Sequence, residues 1–257
     1  MKKTVIALIA PVLGVAPAFA GDVSAPAQSS APAAAANSYG INPYLGVSGV
    51  FGEFDETLIT SLAGEDGSYD VAGVRVNGGL GFGNGFSIDG RYEHVEGDLY
   101  DVDIESDEFR ALVNYEQEVG QGFSLFGGIG YGWLSHEASA EGLSLDISGD
   151  GLLLNAGAKF TSGQFFGSLV YTHCFTQSAE VEISGFDALA EELDVDLDGP
   201  VDGKYDGDEE DVGSLEATVG YNITEQLAAT LSVETQVTGD TWIEKDWVAA
   251  IGLQYKF

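Results

Sequence analysis

The sequence predicts an all-β chain, an antiparallel up-and-down transmembrane β-barrel of about ten strands, with eight or twelve remaining open. Three observations lead there. In the last eleven residues Trp247, Ala249, Ile251, Leu253, Tyr255 and Phe257 recur at a strict period of two, opposite Val248, Ala250, Gly252, Gln254 and Lys256. Such alternation is a strand with two unlike faces. Ten runs of spanning length follow one another, joined by connections that are short and long in turn. Finally, once each run is phased by its apolar residues, the charges opposite them cancel.

From the N-terminus, Lys2 and Lys3 precede the apolar run 4–15, and Ala18-Phe19-Ala20 supplies the small residues of a cleavage site before Gly21. Residues 1–20 read as a cleaved signal peptide. Pro11 and Gly14 interrupt that run and it is short, which argues against a retained anchor. Residues 21–41 are rich in Ala, Pro and Ser and read as a disordered periplasmic lead-in. Residues 42–257 then form one domain. After residue 20 nothing approaches a spanning helix, so a membrane passage must be made by strands. The single Cys174 excludes an internal disulfide and reads as an unreactive wall residue.

The ten runs are 44–54, 70–82, 86–96, 108–118, 123–136, 151–160, 165–177, 212–223, 227–237 and 246–257. A tilted spanning strand needs roughly nine to eleven residues. Four connections, 83–85, 119–122, 161–164 and 224–226, are tight hairpin signals. The phrase Gly-x-Gly-Phe-Ser occurs at both 83–87 and 120–124. The connections between are longer and acidic, the longest lying between the seventh and eighth runs.

The closing run, with Trp247, Leu253, Tyr255 and terminal Phe257, resembles the last strand of bacterial outer-membrane β-barrels of the small OmpA-like and porin-like kind. That resemblance implies recognition of this strand by the barrel-assembly machinery, a lipid-embedded barrel in the outer membrane of a Gram-negative-type bacterium, and periplasmic termini on the short-turn side.

Phasing the runs places five bases inward, Arg75, Arg91, Arg110, Lys159 and Lys256, against five acids, Asp89, Glu93, Glu116, Glu216 and Glu234. Nine Lys and Arg less Lys2 and Lys3 leave seven in the mature chain, so five of seven would face the lumen. A balanced set inside a narrow barrel predicts ion pairs that fill the interior, hence a sealed lumen or a very narrow pore. A soluble sandwich with a polar outer face shares the alternation, but nothing would then require its charges to cancel. Aromatic residues near the run ends, Tyr44, Phe82, Phe86, Phe123, Trp133, Phe160, Phe165, Tyr221, Trp242, Trp247 and Tyr255, fit two girdles at headgroup level.

The formal charge of −33 becomes −35 once Lys2 and Lys3 are lost, and the excess falls in the long connections. Glu96, Asp98, Asp101, Asp103, Glu105 and Asp107 crowd one; 191–211 crowds another. Nucleic acid and anionic lipid are therefore poor partners for these loops, and divalent cations are suitable ones. Asp194, Asp196, Asp198 and Gly199, with Asp202 at the ninth position, resemble the opening of an EF-hand type calcium loop. Tyr205 stands where the closing Glu belongs, so specific calcium binding, a loose divalent layer and a solvated acidic loop stay open. No other cofactor is expected.

No enzyme is expected either. The histidines are His94, His136 and His173, and no nucleophile or carboxylate pair stands at catalytic spacing to them. A rim-sited hydrolase is the remote alternative. Two readings lead: a structural or surface-interaction protein with acidic extracellular loops, and a small cation-preferring porin whose acidic mouth concentrates cations.

Overall fold

The computed structural model describes residues 41–56, 68–99, 102–140, 142–185, 187, 201–206, 211–239 and 243–257. Eleven strands occur among them: β1 (Ile41–Glu56), β2 (Ser68–Phe82), β3 (Phe86–Leu99), β4 (Val102–Gly120), β5 (Phe123–Ala140), β6 (Leu143–Ser162), β7 (Phe165–Ser184), β8 (Gly203–Asp206), β9 (Val212–Asn222), β10 (Leu227–Thr238) and β11 (Ile243–Lys256). Ten of them close a barrel. Each pairs antiparallel with its neighbour, β7 passes the sheet to β9, and β11 pairs with β1. β8 is an extra four-residue strand laid against the far end of β7.

Alternation decides which side of the wall meets what. Val47, Phe51, Val74, Ile88, Val113, Ile129, Leu154, Leu231, Ile251 and Leu253 are all exposed on the outside. So wide an apolar surface, uncovered by the other described residues, is what lipid contact requires. Rings bracket it at both ends. At the tight-turn end Phe86 lies 5.0 Å from Tyr115, and Phe165 lies 5.1 Å from Tyr221. At the other end Phe109 lies 5.4 Å from Trp133, and Phe51 lies 6.1 Å from Trp247. Phe123, Phe160 and Tyr255 join the first belt as exposed rings.

The turns that were expected from Gly-rich signals are tight. Gly85 and Gly122 sit at φ of 90° and 80°, a region that costs an L side chain strain. Inside the barrel three aromatic rings each stand directly opposite a glycine: Tyr44 faces Gly79, Phe126 faces Gly157 and Phe166 faces Gly220. A Cβ at any of these glycines would strike the facing ring. The missing side chain therefore lets the ring lie against the wall, within a lumen only ten strands round.

Two sequence expectations need correction. Tyr44 is not a girdle residue: Leu45 and Val47 take the lipid side, so Tyr44 faces the lumen and donates a 2.7 Å hydrogen bond to Asp89 Oδ1. The long connections after the third and fifth runs are mostly sheet. β3 and β4 leave only residues 100–101 between them, and β5 and β6 leave only 141–142. These strands outrun the span because their inner faces stay apolar, with Val95, Ile104 and Ala138 buried and Leu145 and Val102 packed against them. Asp202 uses its carboxylate to accept the backbone N–H groups of Gly185 at 3.1 Å and Asp187 at 3.3 Å. Asp194, Asp196, Asp198, Trp242 and the signal peptide lie outside the described residues, as does the lead-in up to residue 40.

Candidate functional site: a charged layer across the lumen

The inward positions of six strands meet midway along the barrel. β2 brings Arg75, β3 brings Arg91 and Glu93, β4 brings Glu108 and Arg110, β9 brings Glu216, β10 brings Glu234 and β11 brings Lys245. Four bases thus face four acids. Arg75 Nε donates to Glu93 Oε2 at 2.6 Å, and Lys245 reaches Glu93 from the other side at 3.1 Å. Glu234 sits at the hub, 1% exposed, with Arg91 at 2.8 Å, Arg110 at 2.9 Å and Arg75 at 3.5 Å. Arg91 also pairs with Glu216, Arg110 with Glu108, and Lys245 with Glu108. A guanidinium offers five donors in a fixed fork, so each can bridge two carboxylates, which is how eight groups from six strands become one connected set.

Of the ten lumen residues expected from the sequence, Arg75, Arg91, Arg110, Glu93, Glu216 and Glu234 belong to this layer. Lys159 and Glu116 form a separate, more exposed 2.7 Å pair nearer the tight turns. Asp89 takes no base; it accepts from Tyr44, from Ser87 at 2.6 Å and from Asn114 at 2.7 Å. Lys256 Nζ donates to Asn222 Oδ1 at 3.3 Å and lies over the Phe166 ring. Trp247, Leu253, Tyr255 and Phe257 all stand on the lipid side of the closing strand, with Trp247 donating a 3.3 Å hydrogen bond to Glu53.

Two members were missed for different reasons. Glu108 has the same parity as Arg110, so phasing alone was sufficient to find it. Lys245 has the parity of Trp247, which faces lipid; a bulge opposite Glu53 and Phe54 lets the register skip Asp246 and turns Lys245 inward. With both added, six bases face the lumen against seven acids, because Glu118, two residues beyond Glu116 on β4, lines the same cavity near the turn. Of the nine Lys and Arg, only Lys204 is described outside it.

An apolar layer lies beyond the charged one on the side away from the tight turns. Phe54, 1% exposed, packs there with Val50, Tyr69, Val71, Val95, Ile104, Ala138, Val248 and Ala250. Lys245 Nζ stands 5.8 Å from the Phe54 ring centre and so joins the two layers. His136 is buried in the same region, not exposed at a rim. On the tight-turn side the charged layer instead floors a cavity of about 940 Å³ lined by charged, amide and aromatic side chains together.

Outside, the extended strands carry an acidic wall. Glu96, Glu105, Glu137, Asp146 and Glu182 are successive cross-strand partners on β3 to β7, one acid per strand, and the row ends at Lys204 on β8. Like charges directly opposite one another repel. Lys204 Nζ is 2.8 Å from both Glu180 and Glu182, and those hydrogen bonds hold its ammonium above the usual lysine range. His94 bridges Asp107 at 2.9 Å and Glu96 at 3.1 Å on this wall. Among the described residues, no group of three or more His, Cys, Asp or Glu is arranged to hold a metal ion.

A family model described as the outer membrane protein beta-barrel domain matches residues 15–196. The chain belongs to that family. This outer-membrane β-barrel is also similar in structure to the outer membrane protease OmpT from Escherichia coli, at 11% identity and a TM-score of 0.47, covering 84% of this chain and 96% of that one. Ail, the attachment invasion locus protein of Yersinia pestis, matches at 11% identity and TM-score 0.41, covering 84% and 98%. OprG from Pseudomonas aeruginosa matches at 14% and 0.40, covering 85% and 96%. No curated protein matches the sequence.

Proposed function

We propose that this outer-membrane barrel is sealed and works through its acidic outer wall, as a structural and surface-interaction protein that draws divalent and other cations to the cell surface. The observation that carries this reading is the pair of stacked interior layers, a 4:4 ion-pair set beneath an apolar cluster around Phe54. An ion crossing would have to part buried salt bridges and then enter a dry layer. In this reading the tight turns and both termini face the periplasm, the barrel-assembly machinery reads the Phe257 strand, and nucleic acid is no partner. Calcium at Asp194, Asp196 and Asp198 remains part of the proposal.

The test is planar-bilayer conductance of the refolded chain, with and without calcium. Silence from a folded, heat-modifiable barrel is expected; stable cation-selective openings would sink the sealed reading. They would establish instead a narrow cation-preferring porin, the second reading, which the cavity reaching the charged layer from the turn side favours. Catalysis has less support: His94 is held between two carboxylates, and Tyr171 hydrogen-bonds His173 at 3.1 Å. A lipase or protease activity lost on His136→Ala would overturn the non-enzymatic part.

A further inference from the structure

The turn-side cavity has a wall unlike the layer that floors it. Asn42, Asn77, Asn114, Asn155, Asn222 and Gln254 all line it. A carboxamide offers two donors and an acceptor, which is what a hydroxyl group, itself donor and acceptor, asks of a site. At about 940 Å³ the space is at the upper end of the range of small-molecule pockets. The amides therefore suit a polyhydroxylated guest.

The charge balance adds a second, independent feature. Five of the six lumenal bases have carboxylate partners at ion-pair distance. Lys256 has none among the described residues. Its ammonium is held by Asn222 Oδ1 at 3.3 Å and by the face of Phe166, whose centre is 5.5 Å away, and that ring is braced in turn against Gly220. Of the cavity's acids outside these pairs, Asp89 is committed to three neutral donors and Glu118 is exposed near the turn. In a chain with 42 Asp and Glu against nine Lys and Arg, Lys256 is, among the described residues, the partly buried ammonium that offers an anion from outside a positioned cation without a carboxylate already on it.

We propose that the cavity binds a small polyhydroxylated anion from the tight-turn side, its acidic group on Lys256 Nζ and its hydroxyls on the surrounding amides. Such guests are sugar acids or sugar phosphates; the shared chemistry is an anionic group on a polyol. The proposal does not require conduction, since a sealed floor leaves a blind cup that still binds.

The experiment is isothermal titration of the refolded full-length barrel in micelles with four probes: D-glucuronate, D-glucose 6-phosphate, D-glucose and acetate. Saturable binding of glucuronate, glucose 6-phosphate or both is expected, at least tenfold tighter than glucose or acetate; which of the two binds tells carboxylate from phosphate. Lys256→Met should weaken it tenfold or more and Lys256→Arg should keep it. Lys204→Met, on the outer wall, should leave it unchanged. If Lys256→Met fails to show heat-modifiable folding, Asn222→Asp replaces it: a built-in carboxylate beside Lys256 should abolish anion binding. Glucose binding as tightly as the tighter of the two anions, affinity surviving loss of Lys256, or no saturable binding by either anion would each overturn the proposal. Conductance, measured separately, tells its failure from failure of the sealed-barrel reading.

Discussion

Glu234 and Lys256 are both lumenal charges, yet their partners make them opposites. Glu234 is the shared counter-ion of three arginines, so Glu234→Gln leaves them facing one another with too little negative charge. The expected cost is about 3–5 kcal/mol, the usual result of removing one member of a buried pair, read as a lower urea midpoint in micelles. Lys256→Met should cost less than about 1 kcal/mol, because no carboxylate is stranded by it. On the outer wall, Lys204 ties β8 to β7 through Glu180 and Glu182. Its raised pKa means the contribution is fully present below the unfolded lysine value and fades only as strongly alkaline pH approaches the folded one. At neutral pH, Lys204→Met should therefore release β8, seen as faster amide hydrogen exchange at Tyr205 with the barrel's own exchange unchanged. Parity made most of the charged layer legible in advance. It failed at Lys245, where a bulge breaks the alternation and no local residue announces it.

The strands are the level at which glycine earns its frequency. A methyl at Gly157 would meet Leu169 O at 2.5 Å and the Phe126 ring at 2.6 Å, whereas one at Gly49 would meet nothing within 4 Å on the lipid side. Gly157→Ala should therefore destabilise by about 1–3 kcal/mol as the ring is forced off the wall, and Gly49→Ala should stay within about 0.5 kcal/mol. Thermal unfolding of the two variants in the same micelle checks the contrast. Starts and turns of strands were readable because tight hairpins need their residue types. Upper ends were not, since the acidic stretches that suggest loops lie on the outer face of sheet whose inner face is apolar.

Taken together, the barrel separates its charges by side: among the described residues, six of the seven Lys and Arg face the lumen against seven acids there, while the cross-strand row of acids stands on the outer face. The cross-strand row from Glu96 to Glu182 is therefore self-repelling. Neutralising its centre with Glu105→Gln and Glu137→Gln should raise the melting temperature at low ionic strength by relieving contacts worth about 0.2–1 kcal/mol each. The gain should vanish near 1 M salt, where the Debye length is about 3 Å. A gain independent of salt would mean the row does not repel as its register implies.

What the sequence determined by itself is the wall: period-two alternation sorts lipid-facing from lumen-facing side chains, and turn chemistry orders the hairpins. Those are local properties, carried by neighbours in the chain. Only the closed tertiary structure decided which lumenal charges meet. Arg75 and Glu234 are 159 residues apart, and their pairing depends on barrel closure, strand stagger and one bulge, none of which a linear pattern encodes.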